Sequence, residues 1–196
     1  RRLLLVGSDM AVGKMTAGLE IWKSARARGI QAEFLATGQI GIVLSGGGIA
    51  LDAIRVDYAG GAVEKMVLDA ADAELAIVEG QGSLLHPGST STLPLLRGAC
   101  PTHLILCHRA GMTELDTVGV TVKVPPLNEI IALYEDVASA CGIYPRPVTV
   151  GIALNTAHLN DDQAHRAISE TADTTGRLVL DPVRQGCDQW VDALMA

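Results

Sequence analysis

The stretch Leu3-Leu-Leu-Val-Gly-Ser-Asp-Met-Ala-Val-Gly-Lys-Met-Thr16 decides the reading of this chain. An apolar run, Leu3–Val6, ends in a glycine-bounded loop that delivers Gly13 and Lys14 into a helical pattern. Such a strand–loop–helix unit cradles phosphate: loop amides and the helix N-terminus point at the anion, and the lysine adds a mobile positive charge. Two features depart from the common pattern G-x-x-x-x-G-K-[ST]. Five residues separate Gly7 from Gly13, and Met15 stands where a magnesium-binding hydroxyl is usual. Thr16 follows one place later, rotated by about 100° around the helix, so it is not a simple substitute.

Working outward, apolar runs alternate with helical patterns. A helix is expected over Lys14–Arg28, closed by Gly29, then a strand over Gln31–Ala36. Glycine clusters at Gly38–Gly41 and Ser45–Gly48 make a glycine-rich stretch flanking Ile42–Leu44. A helix is expected over Ala62–Ala71 and a strand over Leu75–Val78, followed by Glu79-Gly-Gln-Gly-Ser83. Residues 84–98 read as loop with a short helix near Leu93–Arg97, and His103–Cys107 as a strand. Residues 110–124 show no clear periodicity and read as an excursion. Helices over Pro126–Cys141, Asp161–Thr174 and Cys187–Met195 alternate with strands Val148–Leu154 and Leu178–Leu180. Strands written as continuous apolar runs are buried on both faces. The expected fold is therefore α/β: a mostly parallel sheet with helices on both faces, a three-layer P-loop NTPase-like sandwich in one domain.

Bulk properties narrow the function. The net charge is −7, and three Tyr, two Trp and one Phe are all the aromatics available. An acidic chain with few stacking platforms does not suit nucleic acid. No run approaches the roughly 20 apolar residues of a membrane span, and no signal peptide is visible. Four scattered cysteines without a C-x-x-C read as reduced thiols in a cytoplasmic protein. Hydrophobic residues make up 48%, a surplus that points to an interface and a homo-oligomer. The start at Arg1-Arg2, directly before a strand, suggests a piece of a longer protein.

Ligands of parallel sheets bind at the carboxyl ends of the strands, so the polar residues there are the candidates. Gly7, Ser8, Asp9, Ala11, Val12, Gly13, Lys14, Met15 and Thr16 would wrap a phosphorylated cofactor, with Asp9 placing a metal or a substrate amine. Thr37, Gln39, Gln81, Ser83 and His108 are candidate substrate contacts. Asp52 and Asp57 would meet magnesium or a cationic substrate. Glu79 suits a general base or a metal–water contact, so Thr16 and Glu79 are the candidate metal pair. His86 is a candidate proton shuttle, and Arg109 offers a planar fork for a carboxylate or phosphate. Asn155 can read a purine edge by paired donor and acceptor, and Asp181 lies where a base or ribose would be closed over.

Six segments, GSDMAVGKMT (7–16), ATGQIGI (36–42), IVEGQGSLLHPG (77–88), LCHRAG (106–111), GIALNT (151–156) and LDPVRQG (180–186), resemble in order a known family. They look like the C-terminal P-loop domain of the D-glutamate N-acetyltransferase-like proteins, formerly a domain of unknown function. More distantly the chain is similar to dethiobiotin synthetase and related P-loop enzymes, which share the five-residue spacing, the aspartate at Asp9, the acidic strand end at Glu79 and the asparagine at Asn155. The resemblance implies acetyl transfer from acetyl-CoA to a small amino-acid substrate, D-glutamate, with an N-terminal Rossmann-like domain absent from this chain. The wider likeness implies instead an ATP- and Mg²⁺-dependent ligase or kinase-like reaction. A non-catalytic nucleotide-binding module is the third reading.

Overall fold

The computed structural model describes residues 1–196. Six strands form one sheet, every pairing parallel: β1 (Arg2–Gly7), β2 (Ala32–Leu35), β3 (Leu75–Val78), β4 (His103–Arg109), β5 (Val148–Asn155) and β6 (Val179–Leu180), in the order β2-β3-β1-β4-β5-β6. The helices are α1 (Lys14–Ala27), α2 (Gln39–Ser45), α3 (Val56–Asp69), α4 (Thr92–Ala99), α5 (Leu127–Ser139), α6 (Asp161–Thr175) and α7 (Asp188–Met195), with a 3-10 turn at Leu51–Ala53. The expected α/β three-layer architecture is thus the one observed.

Alternation along β1 builds the layers. Leu4 and Val6 point to one face with Val63, Leu95, Ile130 and Tyr134; Leu3 and Leu5 point to the other with Ile21, Trp190, Val191 and Leu194. Leu3, Leu4 and Leu5 are wholly buried, which a central parallel strand requires. β1 lies at the centre, and its connection crosses to β2 at the edge before returning through β3. The chain therefore reverses its direction of progress beside β1, where the phosphate loop opens.

Two segments differ from the reading of the sequence. The glycine-rich stretch after β2 is not loop throughout: Gln39–Ser45 is helical, ending at Gly46 in the left-handed region, φ 82°. α3 begins at Val56 rather than Ala62, running through Gly60 and Gly61. α4 packs on this stretch through its own glycine, since a Cβ on Gly98 would collide with the Gly60 carbonyl. Residues 110–124 form an excursion closed by an antiparallel bridge between Glu114 and Lys123. No helix is long and apolar enough to cross a membrane.

Candidate functional site

The site is assembled where β1, β3, β4 and β5 end. The loop after β1 turns through Ala11 (φ 52°) and Gly13 (φ 107°) before α1 starts. The amides of residues 11–16 donate to no acceptor within the chain, whereas Ser8 N–H donates to the Cys107 carbonyl and Met10 N–H to Asp9 Oδ1. Six consecutive N–H groups thus line a concave turn at a helix N-terminus, an arrangement suited to an oligophosphate. Lys14 curls into this turn. Its Nζ donates to the Asp9 carbonyl at 2.8 Å, and the residue is only 6% exposed. Burial pulls the lysine below its usual value, against the attraction of Cys107, Asp9 and Glu79. Gly7 makes room: a Cβ there would stand 2.8 Å from both Lys14 Nζ and the Asp9 carbonyl.

Asp9 is a fastener. Its Oδ2 accepts from Asp116 N–H at 2.9 Å and its Oδ1 from Met10 N–H at 2.7 Å, so both oxygens are spent on backbone. Ser8 Oγ pairs with His108 Nδ1 at 2.8 Å beneath the loop. Burial, with Arg109 adding to it, pushes His108 down to about 4, so the imidazole is neutral near pH 7. Cys107, completely enclosed, is pushed up to about 12 and behaves as a small hydrophobe. Tyr134, reaching in from α5, donates to the Gly7 carbonyl at 2.7 Å and accepts from Leu84 N–H at 3.0 Å. It ties the phosphate loop to the loop after β3. Neither Tyr134 nor Asp116 stood out in the sequence, because partners 127 and 107 positions away leave no local pattern.

Glu79, at the end of β3, is 3% exposed. Its Oε2 accepts from the amides of Thr37 (2.9 Å) and Gly38 (3.0 Å), while Thr37 Oγ1 donates to the Glu79 carbonyl at 2.7 Å. Burial raises this carboxyl above the usual range, opposed by those two amides and by Lys14. Gly38, Gly41 and Gly80 let three backbones approach: a Cβ on Gly41 would collide with Glu79 Oε2, and one on Gly80 with the Leu5 carbonyl.

Two clefts flank the loop. One, of about 430 Å³, is lined by Val12, Gly13, Thr16, Asn155, Asp181 and Arg184 among others. Asn155 Oδ1 accepts from Ala157 N–H, leaving its Nδ2 without a protein acceptor. Asp181 is occupied structurally: Oδ2 accepts from Thr156 N–H and Oγ1, and Oδ1 from the amides of Val183 and Arg184. The other, of about 300 Å³, is lined by Met15, Thr37, Gln39, Asp52, Glu79 and Gln81 among others. Gln39 Nε2 donates to Asp52 Oδ2 at 3.2 Å. Met15 and Thr16 thus face different clefts, and the candidate metal pair Thr16 and Glu79 is not brought together.

The remaining candidates scatter around this centre. His86 accepts from Gly88 N–H at Nδ1, so its Nε2 carries the proton and donates to the Asp116 carbonyl. Both ring nitrogens are engaged by loop backbone. Ser83 Oγ accepts from Leu85 N–H. Arg109 is exposed at the end of β4, opposite Asn155, with no hydrogen bond or ion pair from its guanidinium. Asp57 lies in the first turn of α3, away from both clefts.

Comparison with known proteins gives this geometry its context. A family model described as "Domain of unknown function (DUF1611_C) P-loop domain" matches residues 1–191. A protein from Pseudoalteromonas sp. named D-glutamate N-acetyltransferase is 36% identical over 192 residues, covering 97% of this chain and 57% of its own length. One of the same name from Tritonibacter scottomollicae is 37% identical, covering 100% and 58%. The chain therefore spans less than three-fifths of the curated relatives it matches. A crystal structure of a DUF1611 family protein from Anabaena variabilis superposes with TM-score 0.95 at 53% identity, covering 100% of this chain and 57% of that one. A cobyrinic acid a,c-diamide synthase from Mycobacterium smegmatis, solved with an ATP analogue and magnesium, shares the fold at TM-score 0.54 and 12% identity, covering 88% and 82%.

Proposed function

The chain belongs to the DUF1611_C P-loop domain family, and on that premise we propose that it is the cofactor-binding part of a D-glutamate N-acetyltransferase. The observation that carries this reading is the turn of six unpartnered amides, residues 11–16, closed by the Lys14 ammonium. Acetyl-CoA contains a diphosphate that this turn would hold. Its adenosine would lie in the cleft beside Asn155, whose Nδ2 can donate to a purine nitrogen. The name of the curated relatives, at 36% and 37% identity, supplies the acceptor.

The chemistry asked of the chain is modest. An amino acid's ammonium must lose a proton before its nitrogen attacks the thioester carbonyl. Glu79, buried and with its carboxyl raised, would be the base for that step. The C–N bond forms, the C–S bond breaks, and the second nitrogen proton leaves with the thiolate as free thiol. Arg109, unpaired at the same sheet edge, would hold a carboxylate of the substrate. An upstream Rossmann-like domain, symmetric association and a cytoplasmic setting belong to this proposal as well.

One observation favours a second reading, ATP-dependent ligation. The Glu79 carboxylate stands next to the phosphate loop and feels Lys14 directly, as a residue serving a nucleotide-bound metal would. Incubating the full-length protein with D-glutamate and acetyl-CoA, and looking for N-acetyl-D-glutamate by mass spectrometry, tests the first reading. Product that is lost in Glu79→Gln supports it. Absence of product, with ATP hydrolysis that requires Mg²⁺ and D-glutamate, replaces it with the second.

A further inference from the structure

The cleft on the Glu79 side of the phosphate loop sits where a P-loop enzyme places magnesium. Its residues fit that ion poorly. Magnesium takes oxygen ligands in near-octahedral geometry. The first-turn side chain that faces the cleft is the thioether of Met15, a soft and weak donor, while the Thr16 hydroxyl lines the opposite cleft. No group of three or more His, Cys, Asp or Glu side chains in the chain could hold a metal.

What the cleft does offer is anionic and one-sided. Glu79 is 97% buried (3% exposed), yet only Oε2 receives hydrogen bonds, from Thr37 and Gly38. Its Oε1 accepts none and is not sealed from solvent, so it opens on the cleft that Glu79 lines. Across it, Asp52 gives one oxygen to Gln39 and keeps the other free. Gln39 and Gln81 add amide carbonyls. No cationic side chain lines the cleft, and the nearest ammonium, Lys14, is committed to the Asp9 carbonyl. Met15 and Ile40 supply apolar wall. A carboxylate oxygen of a buried side chain that opens on the cleft without a donor, a second carboxylate, and a volume of about 300 Å³ match an organic ammonium with a short carbon chain.

We infer that the cleft lined by Met15, Gln39, Asp52, Glu79 and Gln81 is the ammonium-recognition subsite for the acceptor amine, occupied by a primary amine and not by a divalent metal. The inference rests on the proposed acetyl transfer and deepens it. Glu79 Oε1 takes the hydrogen bond and then the proton. Asp52 holds the charged form in place until the proton leaves, which makes it the residue that selects amines. Carboxylate recognition falls outside this cleft, because a carboxylate inside it would face two acidic side chains and no cation among the lining residues.

The test uses the full-length protein and calorimetric titration in EDTA with D-glutamate, L-glutamate and putrescine as amines, and glutarate as the analogue without one. The expected result is binding of at least one amine without metal, glutarate at least about tenfold weaker than D-glutamate, and an Asp52→Asn variant about tenfold weaker for the bound amine. Asp52→Asn is expected to leave the acetyl-CoA titration unchanged, which separates loss of the subsite from loss of the fold. Binding of Mg²⁺ that is abolished by Asp52→Asn, equal binding of glutarate and D-glutamate, or no Asp52-sensitive binding of any amine overturns the inference. The two proposals fail separately. Asp52-dependent amine binding without acetyl transfer removes only the activity, and acetyl transfer indifferent to Asp52→Asn removes only the subsite.

Discussion

At the scale of single residues, charge and burial meet beneath the phosphate loop. His108 is 7% exposed and stays neutral down to about pH 4 in the folded protein. In the unfolded chain it takes up a proton near pH 6.5. Between these values the unfolded state binds more protons, so stability falls as pH drops from about 6.5 to about 4, by up to about 3 kcal/mol from this residue. Urea denaturation at pH 7 and pH 5 checks it: the difference should shrink in His108→Gln and should not if His108 titrates normally. Tyr134 carries a separate load. Tyr134→Phe leaves the Gly7 carbonyl and Leu84 N–H without their partner and should destabilise by about 1–3 kcal/mol in the same assay. Lys14 was legible in the sequence, because Gly13-Lys14 after an apolar strand has one common physical use. Tyr134 was not, because a tyrosine on a helix looks like any core aromatic until the fold brings Gly7 to its hydroxyl.

At the scale of elements, the strands were readable and two helices were not. Apolar runs such as Leu75–Val78 have no alternative in a parallel sheet, and that strand is observed over the same residues. Glycine misled the reading at α2 and α3, where it normally breaks a helix. Where α3 meets α4, it is the missing side chain of Gly98 on α4 that lets the two helices come close. The consequence is measurable at Gly98 of α4, where a Cβ would also stand 2.6 Å from Val63 Cβ and 3.0 Å from the Glu64 amide. Gly98→Ala should therefore force α3 and α4 apart and cost about 1–3 kcal/mol by thermal or urea denaturation, although alanine is the better helix former. An unchanged or raised midpoint would mean that the two helices are not in contact. The cap of α6 is a local one: Asn160 accepts from Gln163 N–H at 2.9 Å and Gln163 Oε1 accepts from Asn160 N–H at 3.1 Å. A capping box is written in consecutive residues, so no tertiary knowledge is needed to find it.

At the scale of the whole molecule, one sheet with two apolar faces holds the strand ends in register, and everything chemical sits along one edge of it. Gly7 pairs with Cys107 and Arg109 with Asn155, so phosphate loop, free guanidinium and free amide are placed by β-ladder geometry rather than by flexible loops. The loops are then pinned to one another. Asp116 donates its N–H to Asp9 and accepts at its carbonyl from His86, joining the excursion after β4 to both site loops. That joint lies between segments far apart in sequence, which is why residues 110–124 read as an excursion without showing what pins it. The proposed function depends on the turn of residues 11–16 with Lys14, which would hold an oligophosphate. Calorimetric titration of the protein with coenzyme A, with and without Mg²⁺, tests it most directly alongside a Lys14→Ala variant of unchanged fold by circular dichroism. Metal-independent binding that weakens at least about tenfold in Lys14→Ala is expected; equal affinity in the two proteins, or no binding of coenzyme A or ATP by either, would rule out a phosphate site there.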